Sequence, residues 1–184
     1  MKRKYNTVGG GAKTNINGLS FERDTDLLDA FNSLKNYHIN ILPYDEAPRT
    51  GEVFKNNKLI GLFFEQNSLY KRFLEPKGIN ALDLVSAKLR PDSVFINLIN
   101  DTVYIIEKKY QAQSGSVDEK LQTCHYKKRY YKKLFKSLNL QVEFYYILNN
   151  WFTQERYKDV FDYIDEVGCK KFINFIPFED LGIK

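Results

Sequence analysis

Cysteine is scarce in this chain. Cys124 and Cys169 stand alone among 184 residues, too few and too far apart for a disulfide framework or a zinc site. Long apolar runs are missing too: none approaches the roughly 20 residues that cross a bilayer, so no membrane association is expected. The opening MKRKYNTVGGGAKTN is basic but leads into no apolar stretch, which argues against a secretory signal, and a cytoplasmic location is the expectation. The same stretch lacks a phosphate loop. That motif needs Gly-x-x-x-x-Gly-Lys-Ser/Thr after a strand, whereas Ala12 precedes Lys13 and no strand comes before. Only two histidines occur, His38 and His125, without ligand spacing.

What is present is a folding composition, 43% hydrophobic and 15% aromatic. The length suits one domain. Residues 1–17, rich in Gly and Asn, are expected as a flexible or partner-ordered arm, and 18–184 as a single domain. A net charge of +5 permits an anionic partner without requiring one. Its distribution is more telling: KLQTCHYKKRYYKKLFK, from Lys120 to Lys136, has seven basic residues and no acidic one. A solvated helix face is one reading. A phosphate-facing surface is the other, favoured by Tyr126, Tyr130 and Tyr131, which could stack or hydrogen-bond beside a nucleic-acid backbone.

Periodicity predicts a helix over 18–35 (Leu27, Leu28, Phe31, Leu34), strands over 38–44 and over 51–65 with a turn at Asn56-Asn57, and a short helix over 67–76 stopped by Pro76. Residues 79–89 are ambiguous. Two strands over 93–110 turn at Asn100-Asp101. The basic helix follows, opened by a Ser116–Glu119 capping box, then a strand over 141–149, a helix over 153–167 and a strand over 171–177. Trp151 is expected to pack just after the 141–149 strand. The order predicts an α/β domain, a central mixed sheet flanked by helices.

One strand ends oddly. After Val103-Tyr104-Ile105-Ile106 come Glu107, Lys108 and Lys109. Alternation puts Glu107 and Lys109 on one face, continued by Gln111, and Lys108 on the other. Folding the hairpin about Asn100 brings Asp92 opposite Glu107. Two carboxylates and an ammonium then meet at one end of the sheet. Two nearby carboxylates repel unless a cation compensates, and magnesium, a hard ion content with one or two carboxylates plus waters, does so. The set suits metal-dependent hydrolysis of a phosphodiester, with Lys109 orienting or deprotonating water. Taken alone, EKK is a common solvated strand end and Pro-Asp a common turn starter.

The segments RPD (90–92), IIEKKYQ (105–111) and SGSVDEKL (114–121), with NGLSFE (17–22) near the front, resemble the PD-(D/E)xK nucleases, and among them the short type II restriction endonucleases. The resemblance covers most of the chain and implies a restriction endonuclease-like core. It implies Asp92 and Glu107 as metal-binding carboxylates, Glu22 as an auxiliary metal-binding acid of the first helix, Lys109 as the catalytic lysine, and Gln111 beside the metal or scissile phosphate. Glu22 reads equally as a first-turn glutamate favoured by the helix dipole. Gly115 and Ser116 would open a helix lying along DNA. Lys108 departs from the pattern, which commonly has an apolar residue there. The implied activity is magnesium-dependent, sequence-specific hydrolysis of double-stranded DNA leaving 5′-phosphate ends, by a homodimer matched to a palindromic site and needing no small-molecule cofactor beyond the metal. Lys127, Lys128, Arg129, Lys132 and Lys133 are the candidate phosphate contacts. Asn6, Asn15, Asn17 and Arg49 are candidates for base readout, with nothing to choose among them. A structure-specific nuclease of Holliday-junction resolvase or repair type on the same core, and a non-catalytic nucleic-acid-binding module, remain open.

Overall fold

Short runs rich in β-branched and aromatic residues, punctuated by Asn and Asp, give strands and tight hairpin turns. The computed structural model of the chain describes residues 10–42, 49–113 and 117–183. Its seven strands are β1 (Tyr37–Ile41), β2 (Thr50–Lys55), β3 (Lys58–Phe64), β4 (Ser93–Asn97), β5 (Thr102–Lys109), β6 (Gln141–Leu148) and β7 (Lys170–Ile173), and they lie in one sheet in sequence order. β1 to β5 form an antiparallel meander, while β6 runs parallel to β5 and β7 parallel to β6. Asn56 and Asn57 turn β2 into β3 with both φ angles positive, 50° and 63°, the geometry whose twist suits a two-residue hairpin.

The helices are α1 (Gly10–Asp24), α2 (Leu27–Asn32), α3 (Val117–Lys120), α4 (Cys124–Phe135) and α5 (Lys158–Glu166). A parallel β5–β6 pair needs a crossover, and α3 and α4 provide it. Side-chain alternation then fills two cores. Val94, Ile96, Val103 and Ile105 pack with Tyr131, Leu134 and Phe135 of α4. Phe95, Tyr104 and Ile106 pack on the opposite face with Phe21, Leu28 and Phe31. The result is an α/β fold, a mixed sheet covered on both faces.

Several elements differ from the sequence expectation. The helix predicted over 18–35 is two helices, broken at Thr25-Asp26. Asp26 is extended (ψ 119°) and its carboxylate accepts from Leu28 N–H at 2.9 Å and Asp29 N–H at 3.3 Å, capping α2. α1 begins at Gly10, inside the stretch expected as an arm, of which 1–9 lie outside the described residues. The helix predicted to stop at Pro76 is a π turn (Tyr70–Leu74) leading into a 3-10 turn (Glu75–Lys77). Pro76 sits inside the latter, where its missing N–H costs no bond, and Gly78, at φ 75°, ends it. The helix predicted over 153–167 keeps only α5, preceded by 3-10 turns at Asn150–Thr153 and Glu155–Tyr157. The last strand is shorter than predicted, ending before Asn174 at φ 64°. Ser116, the first residue of the proposed capping box, lies outside the described residues.

Candidate active site

The β4–β5 register pairs Ser93 with Ile106, and one step further out Asp92 stands beside Glu107. The Asp92 carboxylate accepts from the Lys108 backbone N–H at 2.8 Å, closing the end of the ladder. Lys109 Nζ lies 2.9 Å from Glu107 Oε2 and 3.8 Å from Asp92 Oδ2. The predicted trio therefore converges on one ammonium, which also donates to the Lys108 carbonyl at 3.1 Å. Exposure separates the two acids: the Asp92 side chain is 45% exposed and that of Glu107 8%. Asp92 is the open side of the site and Glu107 its floor.

Glu107 has a second cation that the sequence reading did not assign to it. Lys127 of α4 reaches across and donates to Oε1 at 2.7 Å and Oε2 at 2.6 Å. Burial alone would raise the Glu107 pKa, but the ammoniums of Lys109 and Lys127 outweigh it and hold the carboxyl below its ordinary value. Glu107 is thus ionised and charge-compensated. Two carboxylates of hard oxygen, one of them open to solvent, suit a magnesium ion that keeps several waters.

The other acid expected in the metal set does not join it. Among the described residues no group of three or more His, Cys, Asp or Glu side chains is placed to hold a metal ion. Glu22 borders a cavity of about 570 Å³ that Asp92 also lines, on the Lys108 side of the sheet, with Asp26, Arg49, Glu65 and Lys108. Lys108, turned to this face as alternation predicts, donates to the Glu22 carbonyl at 2.9 Å. Burial lowers its pKa despite the surrounding carboxylates. Arg49, a candidate base reader, is held by Glu65 (Nε at 3.1 Å) and by Asp26.

Gln111 is buried, but its contacts lead away from the carboxylate pair. Its Nε2 donates to Asp118 of α3 at 3.0 Å, and its backbone is pinned on both sides by the Asn149 amide at 3.1 and 2.8 Å. Asp118 also accepts from Tyr157 OH at 2.7 Å and from Arg156 at 2.6 Å, while Trp151 donates to Tyr157 at 2.8 Å. Gln111 Oε1 remains without a partner. Asp118, to which the sequence reading gave no role of its own, is what orients this amide, and Trp151 is tied into the same set.

The basic helix divides by phase. Arg129, Lys132 and Lys133 are exposed and lie with His125 and Lys136 on the outer side of α4. Lys127 is turned inward to Glu107. Lys128 is buried, paired with Glu143 at 2.8 Å and bonded to the Gly168 carbonyl, so its ammonium is taken up inside the fold and turned away from the surface expected to meet phosphate. Of the three tyrosines, Tyr126 is 62% exposed, whereas Tyr130 and Tyr131 are in the core. Tyr130 OH donates to the Ala87 carbonyl at 2.9 Å and accepts from Leu89 N–H at 3.0 Å, fixing the segment that leads to Asp92. Asn17 is exposed on α1; Asn6 and the side chain of Asn15 fall outside the described residues. Among the described residues no helix is long and apolar enough to cross a membrane. Comparison with known protein families, with curated proteins and with solved structures returns no match for this chain.

Proposed function

We propose that this chain is a metal-dependent DNA nuclease on a PD-(D/E)xK core, acting as a type II restriction endonuclease that cuts duplex DNA to 5′-phosphate ends in the cytoplasm. The observation that carries the reading is the convergence of Asp92 and Glu107 on Lys109 Nζ, at 3.8 and 2.9 Å, at the tip of the β4–β5 hairpin. The topology around it agrees, since the meander is followed by a crossover helix and a parallel strand. Asp92 and Glu107 would hold the magnesium ion. That ion, when bound, polarises a phosphoryl oxygen and acidifies a water. Lys109, paired with its two carboxylates, would orient the attacking water and offset negative charge gathering on the phosphorus. Arg129, Lys132 and Lys133 would hold backbone phosphates along the outer side of α4, and a homodimer would present one such site to each strand.

Incubation of the purified protein with plasmid DNA and magnesium, followed by sequencing of the ends, tests this. Discrete fragments are expected from wild type, and DNA that is bound but uncut from Asp92→Ala and Lys109→Ala. Cutting confined to junctions or flaps would replace the restriction assignment with a structure-specific one. Wild-type cleavage by either variant would remove the catalytic assignment.

A further inference from the structure

Glu107 carries more positive charge than a buried carboxylate needs. One ammonium neutralises one carboxylate, yet Lys109 and Lys127 both sit on it, at 2.9 Å and at 2.6 to 2.7 Å. Lys127 is the closer, and it spans both oxygens, as a chelated cation does. Together the two ammoniums bring two positive charges to the Glu107 side of the site, the charge of one divalent ion. We infer that Lys127 is an internal counter-ion that occupies the cation position at Glu107 and has to leave before a divalent metal can load there. The inference rests on the reading of Asp92 and Glu107 as a metal site.

Lys127 is the ammonium that can leave. Lys109 is tethered on its own strand, donating to the Lys108 carbonyl at 3.1 Å and standing 3.8 Å from Asp92. Among the described residues Lys127 bonds only to Glu107, its side chain is 20% exposed, and it comes from a different element. A doubly charged ion placed on Glu107 beside both ammoniums would meet uncompensated repulsion. Withdrawal of Lys127 relieves that repulsion and frees Glu107 Oε1, while Oε2 keeps Lys109. The displaced ammonium, already 20% exposed where it stands, moves out to solvent, where a backbone phosphate can accept it. Metal loading and DNA engagement would therefore favour one another, and by linkage each would tighten the other by the same factor.

The test measures manganese binding without DNA, from the loss of the free-ion electron paramagnetic resonance signal, with thermal melting to show that each variant is folded. Lys127→Met is expected to bind manganese about tenfold more tightly than wild type or better, because no buried ion pair has to be broken first. Lys127→Arg, which keeps the charge, is expected to bind no more tightly than wild type. In wild type itself, acylation of Lys127 by an amine-reactive ester, mapped by mass spectrometry, is expected to rise when manganese saturates the site. Unchanged or weaker binding by Lys127→Met, equal tightening by Met and Arg, or Lys127 reactivity indifferent to manganese would each overturn the inference. If Glu107→Gln binds manganese as well as wild type does, the metal reading of the site fails first, and the inference with it.

Discussion

The Glu107–Lys127 pair can be tested in the folding equilibrium alone, by a double-mutant cycle of Glu107→Gln and Lys127→Met. Glu107 is almost wholly buried, at 8% side-chain exposure, while its cations are 17% and 20% exposed. Removing Lys127 leaves Glu107 with Lys109 at 2.9 Å, so the cost is near that of a single charge-assisted hydrogen bond, about 1–2 kcal/mol. Removing the Glu107 charge leaves two ammoniums facing a neutral amide. Loss of one partner of a buried pair costs ~3–5 kcal/mol, but these lysines have enough exposure to reach water, and Asp92 remains for Lys109, which brings the expected loss to about 2–3 kcal/mol. The two substitutions remove one shared interaction, so the double variant should fall short of additivity by about 1–2 kcal/mol. Urea denaturation at neutral pH, with the slope checked for constancy, reads all four corners. A coupling below about 0.3 kcal/mol would mean that the two groups act independently in solution. A larger loss from Lys127→Met than from Glu107→Gln would refute the burial argument.

The same carboxylate makes stability depend on pH. Its folded pKa lies below its ordinary value near 4.5, so its contribution is fully present above that value and is lost as pH falls through the lower folded one; the stability gap between wild type and Glu107→Gln should narrow below pH 4.5, and a gap constant down to acid unfolding would contradict it. Gly61→Ala on β3 places a Cβ 2.3 Å from Cε2 and 2.6 Å from Cζ of the wholly buried Phe95; the overpacking should cost about 1–3 kcal/mol in urea denaturation, and wild-type stability would show that the ring moves freely. Duplex binding as a function of salt should separate the lysines of α4: Lys132→Ala and Lys133→Ala each lower the log–log slope by about 0.9, whereas Lys128→Met lowers stability and leaves the slope alone. An equal slope change from Lys128→Met would place that residue at the DNA after all.

The hairpins were legible because their signals are local. The apolar runs 94–96 and 103–106 and the Asn and Asp residues at the turn between them fix the register, and Asp101, at φ 53°, adopts the left-handed backbone that such turns need. From that register the meeting of Asp92, Glu107 and Lys109 followed. The break at Thr25-Asp26 was masked by Leu27, Leu28, Phe31 and Leu34, whose spacing continues the helical pattern across it, although Asp26 two residues before Leu28 is itself a helix-start signal. The π turn at Tyr70–Leu74 had no local signal. It is shaped by distant partners: Tyr70 OH meets the Leu89 carbonyl and Tyr130 OH, the latter at 3.0 Å and 60 residues away. How Glu22 stands to the carboxylate pair depends on how α1 tilts over the sheet, which its own sequence does not encode.

The basic helix shows what composition hides and phase reveals. Leu121, Cys124, Tyr131, Leu134 and Phe135 mark the side of this segment that meets the sheet. Lys127 falls three residues after Cys124 and four before Tyr131; Lys128 falls four after and three before. Both therefore point toward the core, and Arg129, about 100° further round, points away. A lysine on a core-facing phase needs an anion within reach of its stem, and the neighbouring strands offer Glu107 to the first and Glu143 to the second. The pairs differ in one respect. Lys128 also binds the Gly168 carbonyl, so withdrawing it would strand a backbone acceptor. Among the described residues Lys127 binds only a carboxylate that has another cation beside it. Of two adjacent lysines with the same apparent role in the sequence, one is fixed by its packing and the other is free to move when a better cation arrives.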